Sequence, residues 1–199
     1  MKKILHIISS PRDAVSNSTQ LGNQVIAKLQ ERYPGSSVAI NNVVENDYSH
    51  ITAMHVAGYF LPAEDKTQEH IEVVRPSDAA VQELMDADTI VISLPLYNFS
   101  IPSALKAWID HIVRSGITFS YKTGQPEGLL KNKKVYLAIA SNGVYSEGPM
   151  KAFDFSEPYL RFILSFIGLN DITTFRIEGT AVPGLKETAV QKGLDSVAV

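Results

Sequence analysis

The chain alternates short runs rich in isoleucine and valine with longer amphipathic stretches. Three of these runs, Lys3–Ile8, Thr89–Leu94 and Lys134–Ala140, are apolar along most of their length. Strands that are apolar on both faces are typical of a parallel sheet that helices cover on either side. Two further runs complete five predicted strands: Ile172–Ile177, and the more polar Ser37–Val44, which has the alternating pattern of an edge strand.

Amphipathic stretches with apolar residues at helical spacing lie between and after the predicted strands. We expect Ser18 to cap the first helix. Pro76 is expected to break the segment around it, because a proline inside a helix removes a hydrogen bond and clashes with the preceding turn. This alternation predicts a three-layer α/β fold with right-handed crossovers, as a single domain over residues 1–199. The predicted helices are Thr19–Arg32, Ser77–Met85, Ser103–Arg114, Tyr159–Ile167 and Lys186–Val197.

Two segments do not fit simple alternation of strands and helices. Asp47–Arg75 is long and contains histidine and aromatic residues, whereas Gly116–Leu130 has the pattern of a short hairpin excursion. Either segment is a candidate for a partner surface or for a lid over a site.

Composition excludes several classes of function. The chain has 199 residues and a net charge of −3, from 18 Lys and Arg against 21 Asp and Glu, which argues against a surface for nucleic acid or anionic lipid. It has no cysteine, so thiolate metal sites and cysteine nucleophiles are excluded, and its five histidines show no zinc-binding motif.

No run reaches the ~18 apolar residues of a membrane span. The first apolar run is too short for a signal peptide and is interrupted by His6, so we expect a cytoplasmic protein.

Polar residues follow the first predicted strand and directly precede a helix. Hydroxyl and amide groups at Ser10, Ser16, Asn17 and Ser18, together with the amino end of the helix, suit a phosphate group. The alternative is that Ser16 and Ser18 only cap the helix. The chain contains neither G-x-G-x-x-G nor a P-loop motif, which disfavours a dinucleotide of the Rossmann type and a nucleoside triphosphate.

Two further loops follow predicted central strands. The segment Pro95–Pro102 contains Tyr97, Asn98 and Phe99, which are suited to reading the edge of a planar ring and packing beside it; the alternative is that its aromatic rings only fill the core. The segment Ala140–Tyr145 is small and polar. In an open parallel sheet, loops at the carboxyl ends of neighbouring strands meet in one crevice. The three loops together therefore predict a ligand site.

At these loops the sequence resembles the FMN-dependent NADH-azoreductases, which are also called NADH:quinone oxidoreductases. The resemblance covers nearly the whole chain. It implies a flavodoxin-like fold, with a five-stranded parallel sheet in the order 2-1-3-4-5 and helices on both faces. The motifs that carry it are Pro95–Phe99, Ile101-Pro102, Leu105–Asp110, Arg114–Phe119, Gly128–Leu130, Lys133-Lys134, Pro158–Leu160 and Phe166–Gly168.

The resemblance also implies a set of site residues. Non-covalently bound FMN would have its phosphate at Ser10 and Ser16–Ser18. Its ring and ribityl chain would lie against Leu96, Tyr97, Asn98 and Phe99, and its pyrimidine side would face Ser141, Asn142, Gly143 and Val144. The family pattern usually ends this last loop in two glycines, and Val144 stands in place of the second. Members of the family act as homodimers with the active site at the subunit interface.

Two functions remain open at this point. One is an enzyme in which NADH or NADPH reduces bound FMN and the flavin then reduces a quinone or an azo compound. The other is a flavodoxin-like electron carrier, which would usually need a more acidic docking surface. Candidates for a substrate pocket shared with the partner chain are four aromatic residues, each of which could instead lie in the core or in a dimer interface: Tyr59, Phe60, Phe119 and Phe162.

Overall fold

The computed structural model describes residues 1–46, 48–122 and 124–199. Its main sheet has five parallel strands in the order β2-β1-β3-β6-β7, which is the predicted order 2-1-3-4-5 once a separate two-stranded hairpin is set aside. The sheet strands are β1 (Lys3–Ile8), β2 (Ser37–Asn42), β3 (Thr89–Pro95), β6 (Lys134–Ala140) and β7 (Asp171–Ile177), and the hairpin strands are β4 (Phe119–Ser120) and β5 (Glu127–Gly128).

Helices cover both faces of the sheet, as the apolar strands predict. Successive side chains of β1 point to opposite faces, so Ile4 joins the core under α1 while Leu5 and Ile7 join the core on the other face. The core that contains Leu5 and Ile7 also includes Trp108, which is fully buried. The helices are α1 (Asn17–Arg32), α2 (Ala53–Phe60), α3 (Gln68–Asp86), α4 (Ser103–Ile112), α5 (Ser156–Phe166) and α6 (Ala189–Asp195).

The predicted helix break at Pro76 is wrong, because α3 continues through this residue. Proline has no N–H, so the carbonyl of Glu72 loses its helical partner. Glu72 is exposed, where solvent can satisfy a freed carbonyl. Burial of Val74, Val81 and Leu84 on the other side of the helix outweighs the local cost.

The predicted cap of α1 is also wrong by two residues. The helix begins at Asn17, its N-cap is Ser16 in an extended conformation, and Ser18 lies inside the first turn. The Ser16 hydroxyl does not cap the helix. It lies 3.0 Å from the Ser18 hydroxyl instead.

The two irregular segments each contain ordered elements. The segment Gly116–Leu130 contains the predicted hairpin, in which Phe119 pairs with Gly128. The segment Asp47–Arg75 contains α2 and the start of α3. Asp47 and Thr123, which fall in these two predictions, lie outside the described residues. Across the described ranges, no helix has both the length and the apolar character that a membrane crossing requires.

Candidate functional site

A crevice of about 340 Å³ lies at the carboxyl ends of β1, β3 and β6. Small-molecule sites usually measure ~300–1,000 Å³, so this volume lies at the lower end of that range. All three predicted loops contribute to it. The lining residues are Ser10, Arg12, Ser16, Asn17, Pro95, Leu96, Tyr97, Asn98, Phe99, Ala140, Ser141, Asn142, Tyr145 and Thr180.

The first side of the crevice has the donor groups that suit an anion. Ser10 and Ser16 line it together with Asn17, the first residue of α1. The first N–H groups of a helix have no partner inside the helix and carry a partial positive charge. The first turn of α1 contains no acidic residue that would compete for these groups. Hydroxyls, free amides and a helix amino end form the donor set that a phosphate monoester requires.

A tight turn forms the middle of the crevice. The N–H of Tyr97 donates to the carbonyl of Ser100 at 3.0 Å, and the N–H of Ser100 donates to the carbonyl of Tyr97 at 2.9 Å. The two residues between them, Asn98 and Phe99, have positive φ angles of 48° and 66°. Asparagine tolerates this region, but phenylalanine rarely adopts it. Strained backbone of this kind is concentrated at functional sites, and here it places both side chains in the crevice wall.

The third loop is fastened to the chain that follows β7. The N–H of Gly179 donates to the carbonyl of Gly143 at 3.0 Å, and the N–H of Ala181 donates to the carbonyl of Asn142 at 3.1 Å. A Cβ atom at Gly143 would lie 3.0 Å from the ring of Tyr145. Glycine at this position therefore lets the Tyr145 ring fold back over its own loop.

Three predicted residues lie near the crevice without lining it. Ser18 is fully buried in α1, with its hydroxyl directed at Ser16. Gly143 supports Tyr145, as described above. Val144 lies in an adjacent hollow with Leu185 and Thr188.

The sequence prediction missed three lining residues that carry polar groups. Arg12 lies within the serine-rich loop, and a cation beside a predicted phosphate loop is a signal that indicates it. Tyr145 ends the third loop. Thr180 follows β7, and its hydroxyl donates to Asn142 Oδ1 at 3.0 Å. No local pattern in the sequence indicates that this distant segment returns to the crevice.

None of the four aromatic candidates for a substrate pocket lines the crevice of its own chain. Tyr59 is partly buried under the guanidinium of Arg114, which lies 3.7 Å from the centre of its ring. Phe119 packs against Phe166 at 4.7 Å between ring centres. By contrast, the side chains of Phe60 and Phe162 are 70% and 69% exposed.

The side chains in the crevice do not form a catalytic set of their own. Among the described lining residues, the titratable groups are Arg12, Tyr97 and Tyr145, and no carboxylate or imidazole is present. No cluster of three or more histidine or acidic residues suited to a metal ion occurs in the described part of the chain. The crevice is therefore suited to binding and orienting a group that brings its own reactivity.

A larger groove of about 1030 Å³ lies at the opposite, amino-terminal edge of the sheet. Several of its charges already have partners. Lys131 pairs with Glu127 at 2.6 Å, and Lys134 pairs with Asp171 at 2.5 Å. Ligands of open parallel sheets bind at the carboxyl ends of the strands, so we assign the site to the smaller crevice.

Comparison with known proteins shows the family to which the chain belongs. The family model for the flavodoxin-like fold matches residues 2–198. The FMN-dependent NADH:quinone oxidoreductase of Herminiimonas arsenicoxydans is 46% identical over 182 residues, covering 92% of this chain and 89% of that protein.

The chain is also similar to solved structures of azoreductases. An azoreductase from Bacillus anthracis str. Sterne aligns with a TM-score of 0.90 at 30% identity, covering 98% of this chain and 96% of that one. An FMN-dependent NADH-azoreductase from Bacillus anthracis str. Ames Ancestor, solved in complex with FMN, aligns with a TM-score of 0.86 at 26% identity, covering 98% of this chain and 95% of that one.

Proposed function

Because the chain belongs to the family with the flavodoxin-like fold, we propose that it is an FMN-dependent oxidoreductase that uses NADH to reduce quinones and azo compounds. Its relatives carry the names of both activities. The observation that carries the proposal is the crevice itself, where a phosphate-binding helix end and a strained aromatic turn meet at neighbouring strand ends.

The donor set of the crevice fits FMN. One end offers the hydroxyls of Ser10 and Ser16, the first amides of α1 and the Arg12 side chain, which together match a single phosphate. Within the described residues of the crevice there is no second phosphate cradle of the glycine-rich type, so a mononucleotide fits better than a dinucleotide. The other end offers Asn98 and Asn142, whose amide groups suit the polar edge of the isoalloxazine ring.

When bound, FMN supplies the two-electron chemistry that connects a nicotinamide donor with a flat, electron-poor acceptor. The residues of this chain would bind the flavin and orient its ring. Asn98 and Asn142 would hold the polar edge of the ring, and the Phe99 turn would form the wall beside it. Since the described lining residues include no carboxylate or imidazole, the crevice of one chain offers no dedicated acid–base pair.

The proposal includes a shared binding face for donor and acceptor. If donor and acceptor stack in turn on the same face of the flavin, the donor would leave before the acceptor enters. This order is a ping-pong mechanism. Use of NADPH beside NADH is part of the same proposal, and the reduction experiment below compares the two donors.

We also infer a homodimer with composite active sites. Phe60 and Phe162 are large apolar residues that are 70% and 69% exposed, and we propose that the partner chain covers them. Tyr59 and Phe119 belong to the same prediction, as aromatic groups that the partner chain would bring to the crevice. The test is sedimentation of the wild type beside Phe162→Ser, which should dissociate more readily. A cytoplasmic location stays a prediction.

The experiment that tests the main proposal is anaerobic reduction of the reconstituted protein. FMN is added to purified protein, excess flavin is removed, and the flavin absorbance is followed while NADH, then NADPH, then a benzoquinone is added. The proposal predicts bleaching by the nicotinamide and recovery with the quinone. Protein that binds FMN but bleaches only with dithionite would favour the electron carrier. Protein that binds no FMN would refute both functions.

A further inference from the structure

One buried arginine connects two segments that border the crevice. The Arg176 side chain, at the carboxyl end of β7, is only 12% exposed. Its guanidinium is surrounded by three carboxylates, at Asp154, Glu157 and Glu178. Burial alone would lower the pKa of Arg176, but its hydrogen bonds to Glu157 and Asp154 outweigh burial and raise it. The arginine is therefore held as a permanent cation.

The carboxylate of Glu178 holds the third loop of the crevice. Glu178 Oε1 accepts the N–H of Tyr145 at 2.7 Å and the N–H of Ser146 at 3.0 Å, and it lies 3.2 Å from Arg176 Nη1. The loop is thus fixed through a carboxylate that the arginine neutralises. Tyr145 is one of the residues that line the crevice.

The carboxylate of Asp154 holds the amino end of α5. Asp154 Oδ1 accepts the N–H of Ser156 at 2.8 Å, while its other oxygen bonds to Arg176 Nη2. The segment just before the helix reaches the central turn, because the N–H of Phe155 donates to the carbonyl of Phe99 at 3.0 Å.

Both segments place an aromatic ring against Phe99. The ring centre of Tyr145 lies 6.2 Å from that of Phe99 in an edge-on arrangement, and the ring centre of Phe153 lies 6.1 Å from it. Phe99 has a positive φ angle of 66°, a conformation that persists only where its surroundings hold it. The two segments tied to Arg176 supply those surroundings.

We propose that Arg176 is a positioning residue which, through Glu178 and Asp154, fixes Tyr145 and Phe153 around Phe99 and so sets the shape of the acceptor-binding wall. This inference rests on the proposed function. Loss of the guanidinium would remove the cation that Asp154, Glu157 and Glu178 share, while Glu157 would keep its pair with Arg161. Repulsion among these carboxylates would pull Glu178 away from the loop.

The first test uses hydrogen–deuterium exchange of the protein without flavin, comparing Arg176→Gln with the wild type. We expect amides in residues 143–147 to exchange at least tenfold faster. The matched control is Lys134→Gln, which breaks the Lys134–Asp171 pair at the opposite end of the same two strands and should leave residues 143–147 unchanged. Equal exchange of this loop in Arg176→Gln and the wild type would overturn the proposal.

A double variant separates positioning from general stability. In Arg176→Gln with Glu178→Gln, the side-chain oxygen at position 178 can still accept the two amides without an uncompensated charge. We expect Arg176→Gln alone to raise the quinone KM about tenfold, with a smaller change in kcat. The double variant should restore most of the loop's protection from exchange and return the quinone KM towards the wild-type value. If the single variant does not fold, Glu178→Ala provides the same loop test with Arg176 still paired to Asp154 and Glu157.

The outcomes distinguish this inference from the proposed function. Wild-type protein that fails to bind FMN would refute the function, and the exchange experiment would still report on the loop. Wild-type protein that reduces quinone, with an unchanged quinone KM in Arg176→Gln, would refute the positioning role alone.

Discussion

The Nε2 atom of His6 lies 2.7 Å from the Oγ atom of Ser93, across the neighbouring strands β1 and β3. Both side chains are buried under α1, where the Cα of Gly22 passes so close that a Cβ atom would lie 2.0 Å from Ser93 Oγ. Burial lowers the pKa of His6 to about 4. The imidazole is therefore neutral at physiological pH.

The first prediction is that stability falls with acid through His6. The pKa of His6 is about 4 in the folded protein, against 6.5 for a free side chain. The unfolded chain therefore takes up the proton first, so this contribution is fully present above pH ~6.5 and is lost as the pH falls to ~4. The shift corresponds to about 3 kcal/mol.

Urea unfolding between about pH 4 and pH 7.5 measures this effect. The variant His6→Gln keeps a polar group beside Ser93 but cannot titrate, so its free energy of unfolding should fall less over this range. Parallel curves for the two proteins would show that His6 is not responsible. The pKa of His55 is also lowered, mainly by burial. Because His55 is present in both proteins, its contribution to the pH dependence of unfolding cancels in the comparison.

The second prediction concerns the contact of α1 with the sheet. Gly22→Ala places a methyl group 2.0 Å from Ser93 Oγ and 2.7 Å from His6 Nε2, so these side chains must move. Alanine is ordinarily the better helix former by about 1 kcal/mol, but we expect a net loss of about 1–3 kcal/mol from overpacking. Asn23→Ala, at the exposed neighbouring position, is the control for thermal unfolding. A stabilised Gly22→Ala would contradict the described packing.

The third prediction tests the phosphate loop. Ser16→Ala should weaken FMN binding about tenfold or more, since a charge-assisted hydrogen bond contributes ~1.5–3 kcal/mol. Ser18→Ala removes the partner of the Ser16 hydroxyl, so we expect a loss of the same order or smaller. Quenching of flavin fluorescence on titration measures both.

Protein stability provides the control for these serine variants. Because the Ser16 side chain makes no capping hydrogen bond, its removal should leave the melting temperature nearly unchanged. Unaltered FMN affinity in both variants would mean that the phosphate lies elsewhere.

The fourth prediction concerns kinetics. A single crevice that donor and acceptor use in turn should give parallel lines in double-reciprocal plots of initial rate against NADH at several quinone concentrations. Intersecting lines would mean that both substrates are bound together and that a separate nicotinamide site exists.

The sequence predicted the sheet well because its strands are buried on both sides. In β1 and β6 every residue after the first is buried, so the apolar run and the strand coincide. Prediction failed where tertiary packing outweighed local preference. Pro76 is the clearest case, since its helix is held by the buried face that includes Val74 and Leu84.

The site was predictable only as far as it is local. Ser16 and Asn98 lie in the loops that follow β1 and β3, so both could be placed at the crevice from the chain order alone. Thr180 and Arg176 lie far along the chain, and they reach the third loop only because β7 pairs with β6. The left-handed backbone of Phe99 carries no sequence signal at all, because phenylalanine disfavours it.

The order of the strands also gives the crevice a fixed length scale. The serine-rich loop leaves β1 and the Asn142 loop leaves β6, and β3 lies between these strands. At ~4.8 Å per strand, the two loops start about 10 Å apart, and hydrogen bonding within the sheet prevents that spacing from changing. The distance between the two loop starts is therefore fixed for any ligand that reaches both loops, and a ligand without its terminal phosphate would lose its contacts at the serine-rich loop.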